Sequence, residues 1–173
     1  MKKISLLIIT IFIVNISLAQ NRIPPDYLLK QDFPDSVRNL KILKLDGEKL
    51  DFSDMLKLHT GKKIIIDFWA SWCKDCIVGL PKLDKLKQQT GEDKIVYVFI
   101  SLDKEDVRWR SAINRFNIRG EHYRIETGWH NTLSNYIDLD WIPRYLVLNE
   151  AGRIIIPKAI SADDGVLQRS LME

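Results

Sequence analysis

The chain has 173 residues, with 46% hydrophobic and 28% charged side chains, enough for one domain with a sizeable core and too apolar for a disordered chain. Its formal charge of +3 includes Lys2 and Lys3 of an N-terminal leader; without residues 1–19 there are 24 basic against 23 acidic side chains, a balance that gives no footing for nucleic acid. Only two cysteines occur, Cys73 and Cys76, which excludes a structural disulfide framework and any site needing four thiolates.

Taken in chain order, Met1 to Gln20 reads as a secretory signal. Lys2 and Lys3 form its charged start, Ile4 to Val14 its apolar centre, and Ser17-Leu18-Ala19 a small-x-small cleavage site. An uncleaved membrane anchor is the competing reading, although the apolar run is short for a full span and is interrupted by Asn15 and Ser17. No cysteine follows the cleavage site, which argues against a lipid anchor. Residues 20–39, with Pro24, Pro25 and Pro34 among polar residues, are expected to be an extended lead-in, and residues 40–173 the folded domain.

Leu40 to Leu45 and Leu50 to Phe52 flank Asp46-Gly47, a hairpin signal. Ser53 is expected to cap a short helix through Leu58, closed by Gly61. Ile64 to Trp69 is an apolar run with one interruption, Asp67, and it delivers Cys73-Lys74-Asp75-Cys76 to the start of a helical pattern. Gly91 ends that helix, and Lys94 to Ser101 forms a second apolar strand. Asp103 is expected to cap the next helix, whose buried stripe is Trp109, Ala112, Ile113 and Phe116. Glu121 to Ile125 reads as a strand, and His130 to Ile137 as a short helix. Tyr145 to Leu148 and Arg153 to Ile156 form a hairpin about Asn149–Gly152, and Asp163 to Met172 a closing helix. The order predicts an α/β domain, a mixed sheet covered on both faces.

The chemistry centres on the cysteine pair. At a helix start, unpaired backbone N–H groups and the positive end of the helix dipole favour an anion, so Cys73 should have a lowered pKa and be the attacking thiolate. Cys76, one turn further in, is placed to resolve a mixed disulfide. Asp67 is either buried, with a raised pKa, or exposed at a strand edge. Lys74 favours the Cys73 thiolate and Asp75 disfavours it. His59, His122 and His130 share no ligand spacing and read as surface or partly packed side chains.

Asp67, Phe68, Trp69, Ala70, Trp72, Cys73, Cys76 and Pro81 together resemble the thioredoxin superfamily, and from Leu40 to Pro157 the chain is similar to its secreted TlpA/ResA-like branch of thiol–disulfide oxidoreductases. The resemblance implies a thioredoxin fold with an N-terminal β-hairpin extension. It implies catalytic roles for Cys73, Cys76 and Asp67, with Asp67 moving a proton for Cys76, and a redox-active Cys73–Cys76 disulfide. It also implies a cis Ile142–Pro143 bond facing the pair, with Trp72, Ile142 and Pro143 forming the client groove. The expected protein is exported and periplasmic, monomeric and without an organic cofactor. It would exchange disulfides with client proteins, more as a reductant, recharged by a membrane-bound electron donor. The sequence departs from its relatives at Asp75, where they usually carry Pro, and at Arg144, where thioredoxins usually carry Thr; Arg144 would select acidic clients or simply be solvated. Two other chemistries occur on related folds. A Sco-like copper chaperone would use both cysteines and a histidine, but spaces its cysteines by three residues. A thiol peroxidase would carry Thr or Ser at the position of Ala70.

Overall fold

The computed structural model describes residues 25–91 and 93–172, so the expected leader and possible anchor lie outside the described residues. Among the described residues no helix is long and apolar enough to cross a membrane.

The apolar run seen in the sequence becomes β3 (Lys63–Trp69), buried along nearly its whole length. It lies inside a seven-stranded sheet, parallel to β4 (Ile95–Ser101) and antiparallel to β6 (Arg144–Leu148). Beyond β4 the parallel β5 (Glu121–Arg124) pairs with the hairpin of β1 (Lys41–Lys44) and β2 (Lys49–Asp51), and beyond β6 lies β7 (Ile154–Ala159). The order is β2-β1-β5-β4-β3-β6-β7. A strand with neighbours on both sides and helices on both faces has no solvated side, which is why β3 reads as continuous hydrophobic sequence rather than alternation. The edge strands fit their place: β2 is three residues long, and β7 carries Pro157 and a register irregularity.

One face is covered by α3 (Lys74–Thr90) and α6 (Gly165–Met172), which pack on each other. α1 (Asp35–Arg38) packs with α2 (Phe52–Leu58) and α5 (Thr132–Tyr136). α4 (Asp106–Arg115) buries Trp109, Ala112 and Ile113 of the expected stripe, while Phe116 is the C-cap and only half-buried. α3 stops at Gly91, whose φ of +73° suits a residue without Cβ.

Several local expectations are corrected. Residues 25–39 are not simply extended: a 3-10 turn (Asp26–Leu28) and α1 occur there, Val37 is fully buried, and Phe33 meets Phe52 edge-to-face at 5.0 Å. Ser53 lies inside α2, whose N-cap is Asp51. Asp103 is not a cap either, since α4 begins at Asp106 after Glu105; its carboxylate bonds elsewhere, as described below. α6 begins two residues later than expected, with Asp164 Oδ1 accepting from the N–H groups of Val166 and Leu167 at 2.9 Å.

Candidate active site

Strand β3 ends at Trp69, and Cys73 becomes the N-cap of α3. The chain between them is held by Asp103, which is almost fully buried just past the end of β4. Its Oδ2 accepts from the Ser71 backbone N–H at 2.8 Å and from Ser101 Oγ at 2.8 Å, and its Oδ1 accepts from Ser71 Oγ at 2.7 Å. A charged acceptor serving three donors is a strong local restraint. It fixes the turn immediately before Trp72 and Cys73.

Cys73 and Cys76 form a disulfide of 2.07 Å. The Cys76 backbone N–H donates to Cys73 Sγ at 3.1 Å. When the pair is reduced, that donor and the helix terminus stabilise a Cys73 thiolate. Sγ of Cys73 also lies 3.6 Å from the Ile142 carbonyl oxygen. The Ile142–Pro143 bond is cis, as the resemblance implies, so the two segments singled out in the sequence meet at the sulfur.

Asp67 is buried, 4% exposed, in the middle of the sheet rather than at an edge. Desolvation holds its carboxyl well above the usual carboxylate range, opposed by the positive charge of Lys87. Its Oδ1 has no hydrogen-bond partner. Asp67 pairs in register with Tyr145, whose hydroxyl approaches Gly79 of α3, so the carboxyl lies on the face covered by the helix that carries both cysteines. Lys87, from the same helix, lies over the ring of Phe99, the β4 residue in register with Asp67, and donates to the Arg119 carbonyl oxygen.

Arg144 neither solvates nor faces a client. It is fully buried. Its guanidinium donates to the carbonyl oxygens of Ile137 and Asp138, each at 3.3 Å, and to the Asp140 carboxylate. It braces the loop that carries Trp141, Ile142 and Pro143. His122 is also more buried than expected, stacked on Phe99 at 5.1 Å with Nε2 2.9 Å from the Ile118 oxygen, and burial lowers its pKa. His59 Nε2 lies 2.9 Å from Glu121. Neither ring is directed to the sulfurs, and among the described residues no group of three His, Cys, Asp or Glu side chains is arranged to hold a metal ion.

Trp72 is 59% exposed, and with Cys73, Trp129, Trp141 and Ile142 it lines a groove of about 290 Å³. Of the expected groove residues, Trp72 and Ile142 line it, whereas Pro143 lines an adjoining hollow. The sequence reading missed Trp129, Asp103 and the bracing role of Arg144. Trp129 has no local signal, but a buried Ser101-x-Asp103 after an apolar strand could have suggested a bonded turn.

These features define a class. A model described as "Thioredoxin-like" matches residues 61–154, more than half of the chain, and the chain belongs to the thioredoxin-like family. Among curated relatives, "Thiol-disulfide oxidoreductase ResA" of Bacillus thuringiensis is 24% identical over 47% of this chain and 44% of its own. "Thioredoxin-like protein YneN" of Bacillus subtilis is 32% identical over 43% of this chain and 42% of its own. The chain thus spans less than half the length of these relatives. The solution structure of a putative thiol-disulfide oxidoreductase from Bacteroides vulgatus superposes with a TM-score of 0.66 at 25% identity, covering 81% of this chain and 88% of that one. A Bacteroides fragilis thiol-disulfide oxidoreductase gives 0.65 at 23% identity, covering 78% and 98%, and shares the thioredoxin fold.

Proposed function

We propose that the protein is an exported thiol–disulfide oxidoreductase that acts on client proteins, mainly as a reductant. The observation that carries this reading is the Cys73–Cys76 disulfide at the mouth of α3, with Cys73 Sγ accepting the Cys76 N–H and lining an open groove. Reduced Cys73 attacks one sulfur of a client disulfide, and the other client sulfur leaves as a thiolate. Cys76 then loses its proton to Asp67 and attacks Cys73 Sγ. The client sulfur departs and takes that proton from Asp67, while the first client thiolate takes one from water, leaving two client thiols and an oxidised Cys73–Cys76 pair. Two electrons have passed to the client. A dithiol donor, on our reading membrane-bound, returns them. No organic cofactor enters the cycle, and the working form is a monomer.

Export is supported by the leader pattern and by the chemistry, since stable disulfides belong outside the reducing cytosol. An exported product whose mature N-terminus is Gln20 would bear this out, and a retained Met1 in a cytosolic product would refute it. For the chemistry, turnover of a disulfide-bonded protein should vanish in Cys73→Ser. Cys76→Ser should accumulate client adducts resolvable on non-reducing gels. Substantial turnover by Cys73→Ser would refute the mechanism.

A further inference from the structure

The redox pair opens on more apolar surface than a disulfide needs. Beside Cys73 lies the groove of Trp72, Trp129 and Trp141. A second hollow, also of about 290 Å³, is lined by Val78, Gly79, Trp141, Pro143, Tyr145 and Ile160. Trp141 and Asp75 line both, so the two hollows adjoin, with Trp141 as their shared apolar side chain. Trp141, Val78 and Ile160 are 55%, 65% and 57% exposed, so this apolar surface is wet in the free protein, and contiguous patches of this kind mark interaction sites. Charges at the rim are balanced: Lys74 stands beside Asp75, and Lys82 is paired with Asp163 at 2.7 Å. The rim therefore offers no net attraction to an acidic or a basic segment.

The occupant follows from what the first hollow contains. Cys73 is part of its wall, so whatever fills it productively must bring a sulfur. A second copy seated there would cover its own nucleophile, and a lipid surface brings no sulfur. In an extended segment, side chains two residues apart point the same way and stand roughly 7 Å apart. A client cysteine held at Cys73 thus sends the residue two positions away across Trp141 into the second hollow. Resting on the oxidoreductase reading above, we propose that Trp141 determines specificity, and that the protein prefers client disulfides whose cysteine lies two residues from a bulky apolar side chain.

The test uses short peptides with one cysteine joined by a disulfide to a chromophoric aromatic thiol, with Leu, Phe, Ser or Asp two residues from the cysteine. The wild-type protein should process the Leu and Phe peptides with kcat/KM about tenfold above the Ser and Asp peptides, the gain expected from partly burying one such side chain. Trp141→Ser, at an exposed position that spares the core, should bring that ratio close to one. Equal kcat/KM for all four peptides would overturn the proposal, as would a ratio that survives Trp141→Ser. Self-association, or sedimentation with phosphatidylcholine vesicles, that disappears in Trp141→Ser would also overturn it by giving this face another occupant. Failure to process any peptide, with glutathione disulfide also untouched, would remove the oxidoreductase reading itself.

Discussion

Replacing Arg144 by Met keeps much of the side chain's length and removes all its donors. In the folded protein the guanidinium serves a buried Ile137 carbonyl, a partly buried Asp138 carbonyl and the carboxylate of Asp140. Asp140 is about half exposed and keeps Lys158 at 2.8 Å, so it recovers water and a partner when Arg144 is lost. The two carbonyls do not recover as easily. A stranded buried acceptor costs about 1–3 kcal/mol, and the second, partly buried one adds about 1 kcal/mol. The expected loss is about 3 kcal/mol, a large part of the total stability of an ordinary domain. At about 2–4 °C per kcal/mol for a chain of this size, the melting temperature should fall by about 6–12 °C. Thermal and urea unfolding of the oxidised protein measure this directly. Arg144→Lys should fall between wild type and Met, because one ammonium cannot reach all three acceptors in the planar arrangement of a guanidinium. The loop it braces carries Trp141 and Ile142, so KM for a protein client should rise in Arg144→Met more than kcat falls. A melting temperature within about 2 °C of wild type, with unchanged KM, would refute the bracing role.

Asp67→Asn should slow resolution of the mixed disulfide while sparing the first attack, seen by quenched-flow trapping of the adduct; equal resolution rates would refute the proton transfer. The same substitution should change stability with pH: because burial raises the folded pKa, Asp67 favours folding least above that value, and stability falls as pH rises from the unfolded value near 4 through the folded one. Asp67→Asn should therefore flatten that decline and be the more stable protein at the alkaline end, and a parallel pH profile would contradict the raised pKa. Asp103→Ala should cost about 2–4 kcal/mol in urea unfolding, since it removes an acceptor from the Ser71 and Ser101 groups, and should lower kcat/KM for every disulfide alike. Asp75→Asn should raise the reduction potential of the pair and Lys74→Gln should lower it, by about 20 mV each, as expected for one solvated charge acting on a thiolate at a few ångströms. Shifts of the same sign in a dithiothreitol or glutathione buffer series would refute that account.

The parts legible in the sequence are those whose signal is local. The apolar run of β3, the Cys-x-x-Cys pair at a helix start, the Asp46-Gly47 hairpin and the stripe of α4 each depend on a few neighbouring residues, and each forms where its pattern lies. The misread residues are those whose partners leave no pattern in the sequence, whether distant, as for Asp103, or nearby loop carbonyls, as for Arg144. Asp103 reads as a helix cap because it precedes a helical pattern, but its partner Ser71 is 32 residues away. Arg144 reads as a surface cation because arginine is seldom fully buried, and the acceptors that make burial possible are loop carbonyls, which carry no sequence signal. Asp67 was legible only as a pair of alternatives, because the sequence does not say whether a strand has two neighbours.

Asp67 and Arg144 show how the same sheet tolerates a polar group on each face. Phe68 pairs with Arg144 and Asp67 with Tyr145, so the two polar side chains lie in adjacent registers on opposite sides. On the α3 side the carboxyl is left with an unpartnered oxygen, and burial drives it toward the neutral form. That costs stability, and it leaves a carboxyl of raised pKa under the cysteine helix, which the proposed mechanism uses to carry a proton. On the other side charge cannot be lost, because a guanidinium holds its proton across the physiological range. Burial there is compensated at Nη1 and Nη2 by three acceptors, although Nε has none among the described residues, and the product is a braced loop. A fully satisfied Asp67 would be a poor proton carrier, and an Arg144 without its carbonyl and carboxylate acceptors would be a poor brace. On the proposed mechanism the unpartnered carboxyl of one face serves proton transfer, and on the other face Arg144 holds the loop of Trp141, Ile142 and Pro143.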